Sequence, residues 1–194
     1  MKHILTRVVL MGISAFCFLS IGCDKLNSLT EINVPITVTF NPTVTNAVMP
    51  HAATPECTDL TSNSKFNDNK DKVKSASISE LTFQVMTYEG TPASSVAKYD
   101  NITYKLKFDP SYGDNTEYLL GSFSNVSVAT LMSAPQSISV TDAALNAAVN
   151  QIKSRPKFCV YATYTLNGTT GTIKSMTSEM KLTFQLKVDG ASAI

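Results

Sequence analysis

The chain has 194 residues, of which 43% are hydrophobic and 16% charged, and it contains 8 Gly and 8 Pro. This composition excludes collagen-like, wholly disordered and coiled-coil proteins and predicts one folded domain. The formal net charge is +1 and no long basic run occurs, so we expect no binding to nucleic acid. With 2 His, 4 Cys and no Trp, the chain offers few side chains for catalysis, and it predicts no cofactor and no metal site.

The first 22 residues have the layout of a signal peptide. A short cationic start that includes Lys2 and Arg7 precedes an apolar run of 14 residues, from Val8 to Ile21. A helix of that length reaches about 21 Å, whereas the hydrocarbon core of a bilayer is roughly 30 Å thick. The pattern therefore favours a cleaved signal peptide over a permanent membrane span.

The end of this run is the segment Leu19-Ser20-Ile21-Gly22-Cys23. It resembles the lipobox of bacterial lipoproteins, although Leu19 lies one place further from the cysteine than in the commonest pattern. The resemblance implies that Cys23 takes a diacylglyceryl thioether and becomes the lipid-anchored N-terminus. The alternative is ordinary cleavage near Gly22, which leaves a free thiol on Cys23.

Cleavage after residue 22 defines the remaining organisation of the chain. Residues 23–30 are polar and aperiodic and are predicted to form the lipidated N-terminus and a tether, followed by a folded domain over 31–189 and a tail over 190–194. If Cys23 is acylated, Cys57 and Cys159 are the only thiols left in an oxidising compartment, and we predict a disulfide between them. The alternative is two free cysteines.

Strict alternation of apolar and polar residues predicts the strands. In residues 31–40 the apolar side chains all fall on one parity, and Pro35 on the other parity indicates an edge strand. The same alternation predicts strands over 81–86, 102–108, 158–166 and 180–188, and a weaker form of it predicts strands over 118–123, 126–132 and 137–141.

Residues 142–153 have helical rather than strand periodicity. Leu145, Ala148, Val149 and Ile152 follow the spacing i, i+3, i+4, i+7, and Asp142 is a suitable N-cap. About eight short strands and one short helix predict an all-β fold, an antiparallel two-sheet β-sandwich of Ig-like type. A closed barrel is the alternative, because alternation does not reveal whether a sheet closes.

In the same parity pattern, Cys159 falls on the outward side of its strand together with Tyr161 and Thr163. The disulfide then requires that the segment over 49–61, which has the apolar content to pack, covers this face. In the chain-entropy model, closing a loop of about 100 residues stabilises the fold by roughly 4 to 5 kcal/mol.

A resemblance to a known class of proteins adds to this interpretation. The segment over 71–85, the short stretch Asp100-Asn101-Ile102-Thr103 and the closing strand over 180–188 resemble small uncharacterised lipoproteins of Bacteroidetes-type envelopes. That resemblance implies a β-sandwich with an N-terminal lipid and implies no particular activity.

One loop is rich in candidate ligand-binding residues. Between two predicted strands lie three carboxylates and two aromatic side chains, namely Asp109, Tyr112, Asp114, Glu117 and Tyr118. Such a loop can bind calcium or stack a sugar. An ordinary hairpin loop has a similar composition, and this remains the alternative.

Other motifs give weaker signals. The stretch over 67–71 is dense in carboxylate and amide oxygens but lacks EF-hand spacing, so a polar turn is predicted there. His51 has no carboxylate or thiol at ligand spacing. The sequons at Asn101, Asn125 and Asn167 are explained by chance in a Thr-rich chain.

These observations predict a non-catalytic protein, exported and lipid-anchored to the bacterial cell envelope at the outer membrane. Its sandwich would bind a protein or glycan partner. One alternative is an envelope hydrolase that uses Asp109, Asp114 and Glu117. Another is a structural subunit that assembles through an exposed edge strand, for which the last strand is the candidate.

Overall fold

The computed structural model describes residues 31–140 and 142–190. The predicted signal peptide, Cys23, the tether and residues 191–194 of the predicted tail lie outside the described residues. The strands are β1 (Glu31–Phe40), β2 (Thr43–Val48), β3 (His51–Ala52), β4 (Glu56–Asp59), β5 (Val73–Thr91), β6 (Lys98–Phe108), β7 (Tyr118–Ser127), β8 (Gln136–Ser139), β9 (Lys157–Leu166) and β10 (Thr172–Asp189). The helices are α1 (Ser64–Asn69), α2 (Val128–Ser133) and α3 (Ala143–Val149).

The strands form two antiparallel sheets. Sheet 1 has the order β1-β10-β5-β8, and β2 pairs with β10 along the same side as β1. Sheet 2 has the order β3-β9-β6-β7, and β4 pairs with β9 along the same side as β3. Counting β1 with β2 and β3 with β4 as interrupted strands gives eight, which alternate between the sheets except at the β6–β7 hairpin, and this is the order of a jelly roll. The predicted two-sheet sandwich of about eight strands is confirmed, and the strand order refines the Ig-like expectation to a jelly roll.

The two ends of the domain pair with each other in sheet 1. Residues 31–40 of β1 lie opposite residues 180–189 of β10, and Pro35 faces Gln185 at the sheet edge. The predicted edge position of the first strand is therefore confirmed. The expectation that the last strand exposes an edge is wrong, because β10 is paired on both sides, with β1 and β2 on one and β5 on the other.

Aromatic side chains fill the space between the sheets. Phe158 of sheet 2 packs against Phe40 and Phe184 of sheet 1, with ring centroids 6.3 and 5.5 Å apart. Further along the sandwich, Phe83 of sheet 1 packs against Tyr104 of sheet 2 at 5.5 Å. These contacts join side chains that the alternation places on the inward parity of each strand.

The predicted helix over 142–153 is confirmed over residues 143–149, as α3. The Asp142 side chain accepts a hydrogen bond from the Leu145 N–H at 2.6 Å, which is the expected N-cap. All four apolar residues of the stripe, at 145, 148, 149 and 152, are buried. The helix packs against β5 and β7.

The other two helices were not predicted. Residues 67–71, expected to be a polar turn, lie in α1 and the 3₁₀ turn after it, because Asn63 caps the helix and Phe66 anchors it in the core. The strand predicted over 126–132 is wrong beyond Ser127. There the Ser127 side chain caps α2, and Val128 and Leu131, three residues apart, are buried on one helix face.

None of the three helices within the described ranges is long and apolar enough to cross a membrane.

Candidate functional site

The candidate ligand loop connects β6 to β7 at one end of sheet 2. It opens with a 3₁₀ turn over Pro110–Tyr112, which Asp109 caps by accepting a hydrogen bond from the Ser111 N–H at 2.8 Å. The hydrogen bonds from Ser111 lower the pKa of Asp109. The Asp109 N–H donates to the Lys157 carbonyl at 3.0 Å and ties the loop to β9. Asp109 therefore shapes the loop.

The Asp114 carboxylate is largely enclosed, with 13% of its side chain exposed. One oxygen, Oδ1, accepts from the Thr116 N–H at 2.9 Å, and the other, Oδ2, accepts from the Tyr118 hydroxyl at 2.9 Å and from Arg155 Nη1 at 3.1 Å. The hydrogen bonds from Thr116, followed by those of Tyr118 and Arg155, lower the pKa of Asp114. Both carboxylate oxygens already have partners within the chain.

The two tyrosines of the loop also face inward. The Tyr118 ring packs edge-on against Phe108 at 6.1 Å, and burial raises the pKa of its hydroxyl. Tyr112 packs against the core, and its hydroxyl accepts a hydrogen bond from the Lys157 N–H at 3.4 Å. Neither ring is presented as a free stacking surface.

Glu117, the third carboxylate, forms an exposed ion pair with Lys105 at 2.9 Å, and this pair lowers the pKa of Glu117. Asp109, Asp114 and Glu117 thus have three separate sets of partners. Within residues 31–140 and 142–190, no group of three or more His, Cys, Asp or Glu side chains is arranged to hold a metal ion. Ligand binding by this loop therefore stays a prediction from its composition.

The tyrosines with the most strongly raised pKa values lie in the core. Burial raises the pKa of Tyr99, Tyr104 and Tyr164, and all three are fully buried between the sheets. The Tyr99 hydroxyl donates to the Met176 sulfur at 2.9 Å. Because these hydroxyls are sealed in the core, no dissolved substrate reaches them.

Cys57 and Cys159 form a disulfide, which confirms the predicted pairing. They lie directly opposite each other in the register of β4 and β9, with their Cα atoms 3.9 Å apart, on the side of sheet 2 that points away from the core. The expectation that the segment over 49–61 covers Cys159 is wrong. That segment lies beside β9 as β3 and β4, because its backbone pairs with the strand edge.

The disulfide borders an open cavity of about 290 Å³. Asp59, Asp109 and Lys157 also line it, and the Asp59 carboxylate lies 3.7 Å from the Lys157 ammonium. Hydrogen bonds from Thr61 lower the pKa of Asp59, and Lys157 lowers it further. The charged groups of this cavity are thus paired with each other or with nearby backbone.

The weaker motifs occupy ordinary structural positions. His51 lies on β3 opposite Tyr164. Asn101 is on β6, while Asn125 and Asn167 adopt positive φ angles of 56° and 47°, which asparagine tolerates. The Asn167 side chain accepts a hydrogen bond from the Lys98 N–H at 2.9 Å and holds its turn against β6.

Two residues that the sequence analysis did not single out are informative in the structure. Arg155, the only arginine after Arg7, ties the loop before β9 to Asp114. Lys107 lies on β6 opposite Cys159 on the outward side of sheet 2. The rarity of arginine was a usable signal for the first, whereas the second needed the strand order.

Comparison with known proteins gives structural likeness alone. A scan against protein-family models and a search of curated proteins both find no match. Among solved structures, the decameric BFDV capsid protein matches at 9% identity and a TM-score of 0.38, over 80% of this chain and 99% of that one. A carbohydrate-binding module from glycoside hydrolase family 9 (Cel9A) of Ruminococcus flavefaciens FD-1 matches at 12% identity and a TM-score of 0.35, over 80% of this chain and 98% of that one. The Triatoma virus empty capsid matches at 10% identity and a TM-score of 0.37, over 80% and 91%. The strand order of its own two sheets shows that the protein is a β-sandwich.

Proposed function

We propose that this protein is a non-catalytic, lipid-anchored protein of the bacterial cell envelope whose sandwich binds a protein or glycan partner. The observation that supports it most is that two loop carboxylates already have partners within the chain. Asp114 is bound by Tyr118 and Arg155, and Glu117 is paired with Lys105. General acid and base catalysis needs a carboxyl group whose pKa is tuned toward the working pH, and here both values are lowered.

The anchor is the acylated Cys23 predicted from the lipobox. The seven residues from Asp24 to Thr30 reach about 25 Å when extended, so a lipid on Cys23 holds the sandwich close to its membrane. The Cys57–Cys159 disulfide supports an exported location, because such bonds persist in oxidising compartments. Two or three acyl chains give firm attachment, at about 0.8 kcal/mol per buried methylene.

Detergent phase partitioning tests the anchor. Cys23→Ala should move the protein from the detergent phase to the aqueous phase. Cys17→Ala, within the apolar run, is the matched control and should leave partitioning unchanged. If the Cys23→Ala protein stays wholly in the detergent phase, the lipoprotein proposal is wrong.

The binding role is tested by affinity capture from detergent-solubilised envelope, together with a glycan array. The wild-type protein should retain a defined protein or glycan in one of the two. An activity screen provides the opposing result: turnover that disappears in Asp114→Asn or Glu117→Gln would establish a hydrolase and overturn the proposal.

A further inference from the structure

Tyr161 differs from every other aromatic side chain that the structure describes. The others are buried in the core or packed against it, whereas Tyr161 is neither buried in the core nor packed against it. It lies on β9 between the buried residues Val160 and Ala162, so its side chain is on the outward side of sheet 2. A partly exposed tyrosine ring on a sheet face offers an apolar, electron-rich surface to a ligand.

Polar side chains surround this ring in the strand register. Lys105 on β6 lies directly opposite Tyr161, and Thr103 lies opposite Thr163 in the next outward-facing pair. Beyond Lys105, on β7, lies Leu119, which is 47% exposed. The helices pack against β1, β5 and β7, which leaves β6 and β9 to form this face, hereafter the Tyr161 face.

Lys107 provides a second, independent observation. It lies diagonally across from Tyr161 and opposite Cys159, and it is half-buried. Lys105 and Lys157, the neighbouring cations of this face, have ion pairs with Glu117 and Asp59 at 2.9 and 3.7 Å. Lys107 has no direct ion pair among the described residues, and its charge helps to lower the pKa of Glu117. A lysine ammonium group without a direct ion pair is complementary to an anionic group on a ligand.

We infer that the Tyr161 face binds an acidic polysaccharide, with one sugar ring stacked on Tyr161 and a sugar carboxylate at Lys107. The C–H face of a pyranose ring fits an aromatic surface, and its hydroxyl groups fit the threonine hydroxyls at 103 and 163. A protein partner is a poorer fit, because stable protein interfaces have an apolar, aromatic-rich centre and this face has one ring and Leu119. The inference rests on the proposed binding function and specifies its ligand.

The test uses the full-length protein in detergent and three uronate polymers: polygalacturonate, alginate and hyaluronate. Highly methyl-esterified pectin is the uncharged partner of polygalacturonate. Isothermal titration should show binding to at least one uronate polymer, weaker binding at higher salt, and at least about fivefold weaker binding to the esterified form.

Matched variants locate the site. Tyr161→Thr, which removes the ring but keeps a residue suited to a strand, should weaken binding about tenfold, and Tyr161→Phe should retain it. Lys107→Gln should weaken binding about threefold and reduce the salt dependence. Lys187→Gln, an exposed lysine on the outer side of sheet 1, is the control and should change nothing.

Three outcomes would overturn the inference: no uronate polymer binds, binding is unaffected by Tyr161→Thr, or esterified pectin binds as well as polygalacturonate. Absence of uronate binding together with capture of an envelope protein would overturn the inference while supporting the broader binding function. If neither a protein nor any glycan binds, the proposed function fails as well.

Discussion

The β6–β7 loop and the Tyr161 face, which lie at one end and on the outward side of sheet 2, have opposite chemical character. The loop concentrates three carboxylates and two tyrosines in ten residues, 109–118, yet the Asp114 carboxylate has partners on both oxygens. The Tyr161 face has no recognisable motif, yet within the described part of the chain its ring is not packed against the core and Lys107 has no direct ion pair. Binding capacity depends on which groups the fold leaves unpartnered, rather than on how densely polar residues follow one another in sequence.

The largest expected effect concerns the disulfide at the rim of the Tyr161 face. Removing it in Cys57→Ser/Cys159→Ser should lower the free energy of unfolding by about 4–5 kcal/mol in the chain-entropy model, since the bond links residues 102 positions apart. Urea denaturation of a fragment that starts at residue 31 measures this loss. In that fragment Cys57 and Cys159 are the only cysteines, so reductant should destabilise the unmodified chain equally. A loss below about 1 kcal/mol would show that the bond merely joins strands already held by their backbone.

The next effect tests whether the loop is structural. Asp114→Ala leaves the Tyr118 hydroxyl and the half-buried Arg155 guanidinium without their acceptor, and it should lower the free energy of unfolding by about 1–3 kcal/mol. Glu117→Ala, which removes only an exposed ion pair, should cause no measurable change. Equal losses in the two variants would mean that the loop's stability does not depend on the Asp114 cluster.

The Asp114 cluster should also make the stability of the protein depend on pH. The folded-state pKa of Asp114 is below its ordinary value of 3.8, so its stabilising contribution is complete above that value and is lost as pH falls through the folded pKa. The melting temperature of the wild type should therefore fall steeply below about pH 4. Asp114→Asn should be less stable at neutral pH and show a shallower acid dependence. Parallel curves for the two proteins would contradict the assignment.

The sequence predicted what depends on local pattern. Strict alternation placed Phe158 and Tyr164 on the inward side of β9, and the spacing after Asp142 predicted α3. The strand predicted from the weaker pattern over 126–132 was wrong beyond Ser127, because the Ser127 side chain caps a helix that begins there.

Lateral order could not be predicted, because alternation does not say which strand lies beside which. The register that places Lys107 opposite Cys159 joins residues 52 positions apart, and Arg155 meets Asp114 across 41 positions. For the same reason the loop looked like a ligand site, since its partner Arg155 lies on a distant segment that the loop's own composition does not reveal.

The smallest expected effect falls on the Tyr161 face itself. Tyr161→Thr and Lys107→Gln should each change the free energy of unfolding by less than about 0.5 kcal/mol, because surface substitutions outside structural contacts have effects of that size. Tyr164→Thr is the contrasting control, since this inward neighbour on β9 is fully buried and its loss should lower the free energy of unfolding by about 3 kcal/mol or more. Urea denaturation of the three variants compares them directly. If Tyr161→Thr proves as destabilising as Tyr164→Thr, then the Tyr161 ring holds the sandwich together and is not left free for a ligand.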